Sequence, residues 1–461
     1  MLAIRANYLA AKEALPWLDA WRPQEFEAQF PEAPQSKIPA AKFPDGIRLV
    51  MATRNSLDEV EAMLQAGETV VYGTGDRKLI YDYVRLCDLL RRYPRFYLAT
   101  ANLCNILTFE RMHDLGVTGQ LLYGSGMSFL DENAAMGQLA LSKLDWKIRC
   151  DIAGNNVRRL LGMPEIMPSE PQVLPVEPFI IDAHGHTSNI DGLTPMPTSV
   201  VGFTWEQWRP LLDFYGTEIL IDAPNIAFRT EWTSLASEGV LARESGGRIR
   251  LLEIYDPRDP KGVDMMRSSL AQPECVGVKI HPQFHLTWAS DDRYDAAFRL
   301  AGEAGKTVMS HTWEISYYNP RQKFSCPWLF EEHIARHPET NFVLGHAGGR
   351  PSTLFEVREL CRRYPSVFVD ISGDYFHNGM IGNLVSAIGP ERILFGADID
   401  WFDPRCVLGI VLGSELSDAD VMLVLRENAK RVYHLAGTPV SRLKKMPGDS
   451  IVCSSREMEQ K

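Results

Sequence analysis

From residue 178 onward the chain alternates short apolar runs with amphipathic segments. The apolar runs are PFIIDAH (178–184), EILIDA (218–223), IRLLEIY (249–255), VGVKIH (276–281), TVMSHT (307–312), FVLGHA (342–347), VFVDIS (367–372) and ILFGAD (393–398). Their near-continuous apolar character predicts strands covered on both faces, as in a parallel sheet. Helical patterning falls between them at 205–214, 261–271, 293–304, 327–337, 353–363 and 379–388, and 417–434 closes the series. Eight such units within about 260 residues match an α/β fold of the (β/α)8 TIM-barrel type in number and size. The competing architecture is an open doubly wound sheet, but no G-x-G-x-x-G or P-loop follows any strand.

The region before the barrel repeats part of it. LCDLLRRYP (86–94) followed by FYLATANLCN mirrors RELCRRYP (358–365) followed by VFVDISGDYFHN, and Gly73/Gly345, Gly124/Gly396 and Asn156/Asn428 all stand 272 positions apart. LVMATR (49–54) pairs with TVMSHT (307–312) at a different offset. A sustained register of this kind marks an internal repeat. Residues 1–162 are therefore expected to form a degenerate half-barrel copying the last four βα units, without the first four. Pro164, Pro168, Pro171, Pro175 and Pro178 make 163–178 an extended linker, 179–436 the complete barrel and 437–461 a flexible tail.

Composition narrows the chemistry. A net charge of −11 over 461 residues argues against a dedicated nucleic-acid or polyanion binder, which needs a basic face. The eight cysteines are spread singly without a C-x-x-C pair, the pattern of reduced thiols. No apolar run reaches the ~20 residues of a membrane span, and the N-terminus lacks the apolar stretch of a signal peptide. A soluble cytoplasmic protein is expected. Of 11 histidines only His113 precedes position 184, so the chemistry belongs to the barrel.

There, His184 and His186 form H-x-H at the end of the first strand, and residues i and i+2 of a strand point the same way. His311 ends the fifth strand, His346 the sixth and Asp398 the eighth. Barrel active sites are built at the C-terminal strand ends, so four separate elements deliver ligand-type side chains to one mouth. Lys279 and His281 share a face of the fourth strand, with His285 beyond them. Trp313 and Glu314 after the fifth strand, and Tyr375, Phe376 and His377 after the seventh, are candidate pocket walls or ordinary loop packing. Arg350 can bind a substrate carboxylate bidentately, or join a surface ion pair.

The motifs DAHGH (182–186), GVKIHP (277–282), SHTW (310–313), LGHAGG (344–349) and FGAD (395–398), in that order, resemble the amidohydrolase superfamily, specifically its amidohydrolase-related branch of metal-dependent hydrolases, decarboxylases and hydratases. The resemblance spans about 178–436. It implies that His184, His186 and His311 ligate a divalent metal, most often Zn2+, that Asp398 completes the site or holds its water, and that His346 is the general acid/base. A second ion follows only if Lys279 is carboxylated; Lys279 and His281 otherwise face other core groups and substrate.

A divalent cation lowers the pKa of bound water toward ~7. Asp398 can then orient the attack while His346 polarises or protonates the substrate. The leading expectation is thus a hydrolase acting on a C–N or C–O bond of a small polar substrate. A non-oxidative decarboxylase or hydratase on the same scaffold is the first alternative, and a non-catalytic scaffold with a vestigial barrel the second. In the N-terminal copy Thr74 and Gly126 stand for His346 and Asp398, Thr53 is expected to stand for His311, and the half carrying H-x-H is expected to be missing. Such a set cannot hold zinc, so the copy is structural. Its open sheet needs cover, either on the barrel or against a second chain in a homodimer.

Overall fold

A computed structural model of the chain describes residues 2–22, 36–75, 78–127, 129–187, 204–223, 236–316, 318–373, 376–399 and 401–435. The expected tail, Tyr375 and most of the loop after His186 lie outside them. Two parallel sheets organise the molecule. The first has four strands in sequence order: β1 (Ile47–Met51), β2 (Thr69–Gly73), β3 (Phe96–Ala99) and β4 (Leu121–Leu122). The second has eight: β5 (Ile180–Gly185), β6 (Thr217–Asp222), β7 (Ile249–Ile254), β8 (Cys275–Ile280), β9 (Thr307–His311), β10 (Phe342–Gly345), β11 (Val367–Asp370) and β12 (Ile393–Leu394).

The eight-stranded sheet closes on itself. Ala183 N donates to Phe395 O at 2.9 Å, Asp398 N to His184 O at 2.8 Å and His186 N to Ile399 O at 3.0 Å. No edge is left at that seam, which is how a TIM barrel satisfies its backbone. Ile181, Ala183, Ile219, Ile221, Leu252, Met309, Val343 and Leu394 fill one apolar cluster, while the larger cluster lies between strands and helices. Every barrel strand overlaps its expected apolar run. Two helices, Ala236–Glu244 and Pro404–Gly413, were not expected; in the second, nine of ten residues are buried, so no polar face interrupts its apolar pattern.

The N-terminal unit docks on the barrel. Helix Glu132–Ala140 crosses helix Pro404–Gly413 so closely that a Cβ on Gly137 would stand 2.6 Å from Gly409 Cα, and one on Gly409 would stand 2.6 Å from Gly137 Cα. Helix Ala3–Ala14 packs alongside, with Arg5 paired to Asp418 at 2.8 Å. Residues 163–179 form no helix or strand, and are tied down by Trp146 Nε1 to Pro168 O (2.8 Å) and Asn155 Nδ2 to Ile166 O (2.9 Å).

One expectation about this unit needs correcting. Leu18-Asp19-Ala20-Trp21 repeats the bonding of Ile181-Asp182-Ala183-His184 in β5. Ala20 N donates to Tyr123 O at 2.8 Å and Gly126 N to Trp21 O at 3.1 Å, as Ala183 does to Phe395 and Asp398 to His184. Asp19 Oδ1 accepts from Trp21 N (3.0 Å) and Ser125 N (3.1 Å), as Asp182 Oδ1 accepts from His184 N (3.1 Å) and Ala397 N (3.0 Å). A remnant of the first strand therefore survives in the copy.

Candidate active site

The strand ends of the barrel converge on buried histidines and carboxylates. Donor atoms of His184, His186 and Asp398 lie within 4.8 Å of one another, as do those of His184, His346 and Asp370. His346 and Asp398 hold positive φ angles of 62° and 59°, and Ala347 one of 47°. A non-glycine residue there costs about 1–2 kcal/mol. Backbone strain of this sort gathers at functional sites.

Each imidazole is oriented by a definite partner. His184 Nδ1 lies 2.9 Å from Asp370 Oδ2 and 2.8 Å from Ser372 Oγ, and its Nε2 lies 2.9 Å from Lys279 Nζ. His186 Nδ1 donates to Ala223 O at 2.6 Å, because a carbonyl can only accept. Its Nε2 then meets Asp398 Oδ1 at 2.9 Å. Both atoms are of metal-ligand type and would share a divalent cation placed between them. His346 Nδ1 sits 3.3 Å from Ser372 O and 2.9 Å from Ser372 Oγ, which makes it the donor and leaves Nε2 as acceptor. Asp370 Oδ1 gathers His346 N (3.1 Å), Ser372 N (3.0 Å) and the Ser372 hydroxyl.

Electrostatics suit a cation. Burial holds His184, His281 and His311 below the ordinary histidine value and takes His346 down to about 3, with neighbouring positive groups adding to the effect. Burial also lowers Lys279 to about 8, against the pull of Asp370 and Asp398. Burial opposes ionisation of Asp370 and Asp398, yet the histidines around them hold both well below the usual carboxylate range. Two carboxylates against one ammonium leave a net negative pocket. Burial raises Asp182 to about 8, and its Oδ1, which accepts from His184 N and Ala397 N, pins β5 to the segment after β12. Two histidines and a carboxylate form a donor set for Zn2+ or another first-row divalent ion.

The remaining expected residues group unevenly. His311 joins the cluster, its ring 4.8 Å from His346 and stacked 4.4 Å from His281, but its Nε2 lies 2.8 Å from Gln322 Oε1 and it is in neither donor trio. Trp313 stacks on His311 at 5.7 Å and meets His346 edge-on at 5.6 Å, and Arg350 Cζ rests 4.5 Å above Trp313. Lys279 bonds His184 rather than a carboxylate. His285 turns to Tyr294 OH at 2.7 Å, and Glu314 accepts from Ser352. His377 bridges to Leu130 of the N-terminal unit. Asp370, Ser372 and Gln322 were missed from sequence. Asp370 ends a strand as Asp398 follows one, so the strand-end rule applied to β11 finds it.

In the N-terminal copy the equivalent place is plugged. Trp21 takes the position of His184: a Cβ on Gly73 would collide with its indole, and one on Gly345 would stand 3.2 Å from His184 Cε1. Register corrects another expectation. Gly73 pairs with Met51 and Gly345 with His311, so Met51 rather than Thr53 stands for His311. Gly126, at φ 69°, replaces Asp398. Among these only Thr74 offers an oxygen donor, and it makes no metal set.

A profile of the amidohydrolase family matches residues 181–435. The chain is 32% identical over 200 residues to gamma-resorcylate decarboxylase of Rhizobium radiobacter, covering 34% of this chain and 56% of that protein. It thus spans about half the length of this curated relative. Among solved structures, a TIM-barrel protein of Bordetella bronchiseptica is 15% identical with a TM-score of 0.44, covering 50% of this chain and 83% of its own. The 5-carboxyvanillate decarboxylase of Novosphingobium aromaticivorans, complexed with manganese and a nitrobenzoic acid, is 15% identical with a TM-score of 0.40, covering 49% and 79%.

Proposed function

The chain belongs to the amidohydrolase family, and from that premise we propose that it is a metal-dependent non-oxidative decarboxylase of a small hydroxylated aromatic acid. The observation that carries this reading is Arg350 lodged over Trp313, which itself packs against His311 and His346, so that a guanidinium lies one indole away from the proposed acid/base histidine. The 32% identity to gamma-resorcylate decarboxylase supports it.

His184, His186 and Asp398 would hold one divalent ion, with His311 nearby as the further candidate ligand. Bound there, the ion would stabilise the negative charge developing on substrate oxygen. The protein's own groups divide the remaining work. Arg350 holds the carboxylate through charge-assisted hydrogen bonds. His346 Nε2, neutral and accepting, takes the proton of the ring hydroxyl and returns it to the ring carbon. The bond from that carbon to the carboxyl group breaks, its electron pair stays with the ring, and carbon dioxide leaves. The phenolate product regains a proton from water. Lys279, whose ammonium meets His184 Nε2 at 2.9 Å, would yield that lone pair to the ion, and His281, stacked on His311, supports that ring. Zinc and manganese both suit the donor set.

Hydrolysis of a C–N or C–O bond is the second reading, favoured by the ionised Asp398, which is placed to accept a proton from water. The intact donor cluster weighs against a vestigial scaffold. The seven described cysteines are free, which supports a reducing compartment and hence the cytoplasm. No helix among the described residues is long and apolar enough to cross a membrane. A panel of hydroxybenzoates, esters, lactones and amides tests the function. Carbon dioxide release from a hydroxybenzoate, lost on His346→Gln by about 100-fold or more, is the expected result. Ester, lactone or amide turnover without carbon dioxide would overturn the first reading in favour of the second.

A further inference from the structure

The N-terminal unit meets the barrel at two loops that carry active-site residues. Ser372, in the loop after β11, places its hydroxyl 2.8 Å from His184 Nδ1 and 2.9 Å from His346 Nδ1. A Cβ on the next residue, Gly373, would stand 2.9 Å from His346 Nδ1. The same loop then runs antiparallel to residues 129–131 of the other unit. Asp131 N donates to Phe376 O at 2.7 Å and Asn378 N to Phe129 O at 3.0 Å, with Leu130 bridged to His377 between them.

The loop after β12 is anchored in the same way. Asp398, at φ 59°, opens a turn in which its carbonyl accepts from Trp401 N (2.9 Å) and Phe402 N (3.2 Å). Asp403, which follows, donates its N–H to Cys104 O at 2.8 Å and accepts the Leu107 N–H on Oδ2 at 3.0 Å. The buried Arg405 bonds both Asp403 and, at 2.7 and 3.0 Å, the carboxylate of Glu110. These anchors are equivalent. Asp131 and Asp403 stand 272 positions apart in sequence, as do Cys104 and Phe376, and as do the mutually touching Gly137 and Gly409. Such reciprocity is the signature of an isologous two-fold interface, here formed within one chain.

We propose that the N-terminal unit is a positioning domain: its backbone grip on residues 376–378 and on Asp403 fixes the loops that hold Ser372 and Asp398, and with them the donors of the barrel's metal site. The proposal rests on the metal-site reading given above and not on the choice of substrate. A loop left to itself samples many backbone states, and a non-glycine residue at positive φ persists only where its surroundings over-determine it. Asp398 is held on both sides, by its own N–H on His184 O at 2.8 Å and by the anchored Asp403. Ser372 touches the Nδ1 atoms of two rings, so a displaced loop releases both. Donors on a fixed frame need less ordering when an ion binds. Docking and ion binding are then linked, each strengthening the other by the same factor. The copy keeps this role although its own site is plugged by Trp21.

Titration of the full-length protein with cobalt(II), followed by visible absorption, tests this without relying on turnover. Asp131 has φ −72°, which suits proline, so Asp131→Pro removes the N–H bonded to Phe376 O and sets ring atoms in its place. Asp131→Ala keeps that N–H and loses only the side-chain cap on Asn133 N. Val60→Ala, in the buried core of the N-terminal unit, controls for a general loss of stability. Asp131→Pro should weaken cobalt about tenfold or more and alter its spectrum, whereas Asp131→Ala and Val60→Ala should match wild type. In wild type, cobalt should slow hydrogen exchange of the Asp131, Asn378 and Asp403 amides, and more than that of Val71 in β2. Cobalt held equally by wild type and Asp131→Pro, a loss of the same size in Val60→Ala, or exchange indifferent to the ion would overturn the positioning role and leave the metal site standing. Wild type that takes up no cobalt would overturn the metal site and this role with it.

Discussion

The imidazole of His184 is fixed through Nδ1, 2.9 Å from Asp370 Oδ2, so its Nε2 lone pair is what remains for Lys279 or a cation. Asp370 also collects the His346 and Ser372 amides, so one carboxylate sets the angle of two rings. Carboxylates behind a metal-ligating histidine typically change metal affinity 10- to 100-fold when removed. Asp370→Asn is expected to weaken metal binding by that order, read by competition with a chromogenic chelator, while the fold is retained. Unchanged affinity would mean that Asp370 serves packing alone. At this scale the sequence displayed His184, His186, His311, His346 and Asp398 because strand ends can be counted. Asp370 was open to the same rule at the end of β11 and was passed over, whereas the turn of His311 toward Gln322 was concealed, because it depends on where a distant loop folds. Trp21 was hidden for another reason. Its segment pairs with β5 at an offset of 163, not 272, and exchanging histidine for tryptophan removed the chemistry that draws attention.

The crossing of helices Glu132–Ala140 and Pro404–Gly413 depends on two glycines that leave no room for a side chain. Their equivalence predicts equal consequences. Gly137→Leu and Gly409→Leu should each cost about 3 kcal/mol by overpacking, measured as a lowered urea midpoint, whereas Gly46→Ala, in open space, should be neutral. A large asymmetry between the two would show that the contact is not the reciprocal one described. The strands and most helices were legible, since parallel buried strands read as apolar runs separated by amphipathic ones. Helix Pro404–Gly413 was not, because burial on nearly every side erases the periodicity that marks a helix. The repeat was visible as a fixed offset, but the sequence alone left open whether the copied unit covers its own barrel or another chain. Within the chain, the touching Gly137 and Gly409 seat the copied unit on its own barrel.

At the scale of the whole molecule, one barrel carries the donors, and a half-barrel plugged at its own site packs against it through helices Glu132–Ala140 and Pro404–Gly413. The described donors thus gather at one mouth, and the central proposal is that this mouth holds one divalent ion on which activity depends. Metal analysis of the purified protein addresses that claim most directly, comparing wild type with His184→Ala and Asp398→Ala and following carbon dioxide release in the same preparations. About one equivalent of zinc or manganese in wild type, lost together with activity in both variants and on chelation, is the result expected. Wild type carrying no more metal than the variants, or full activity after the metal is stripped, would contradict it.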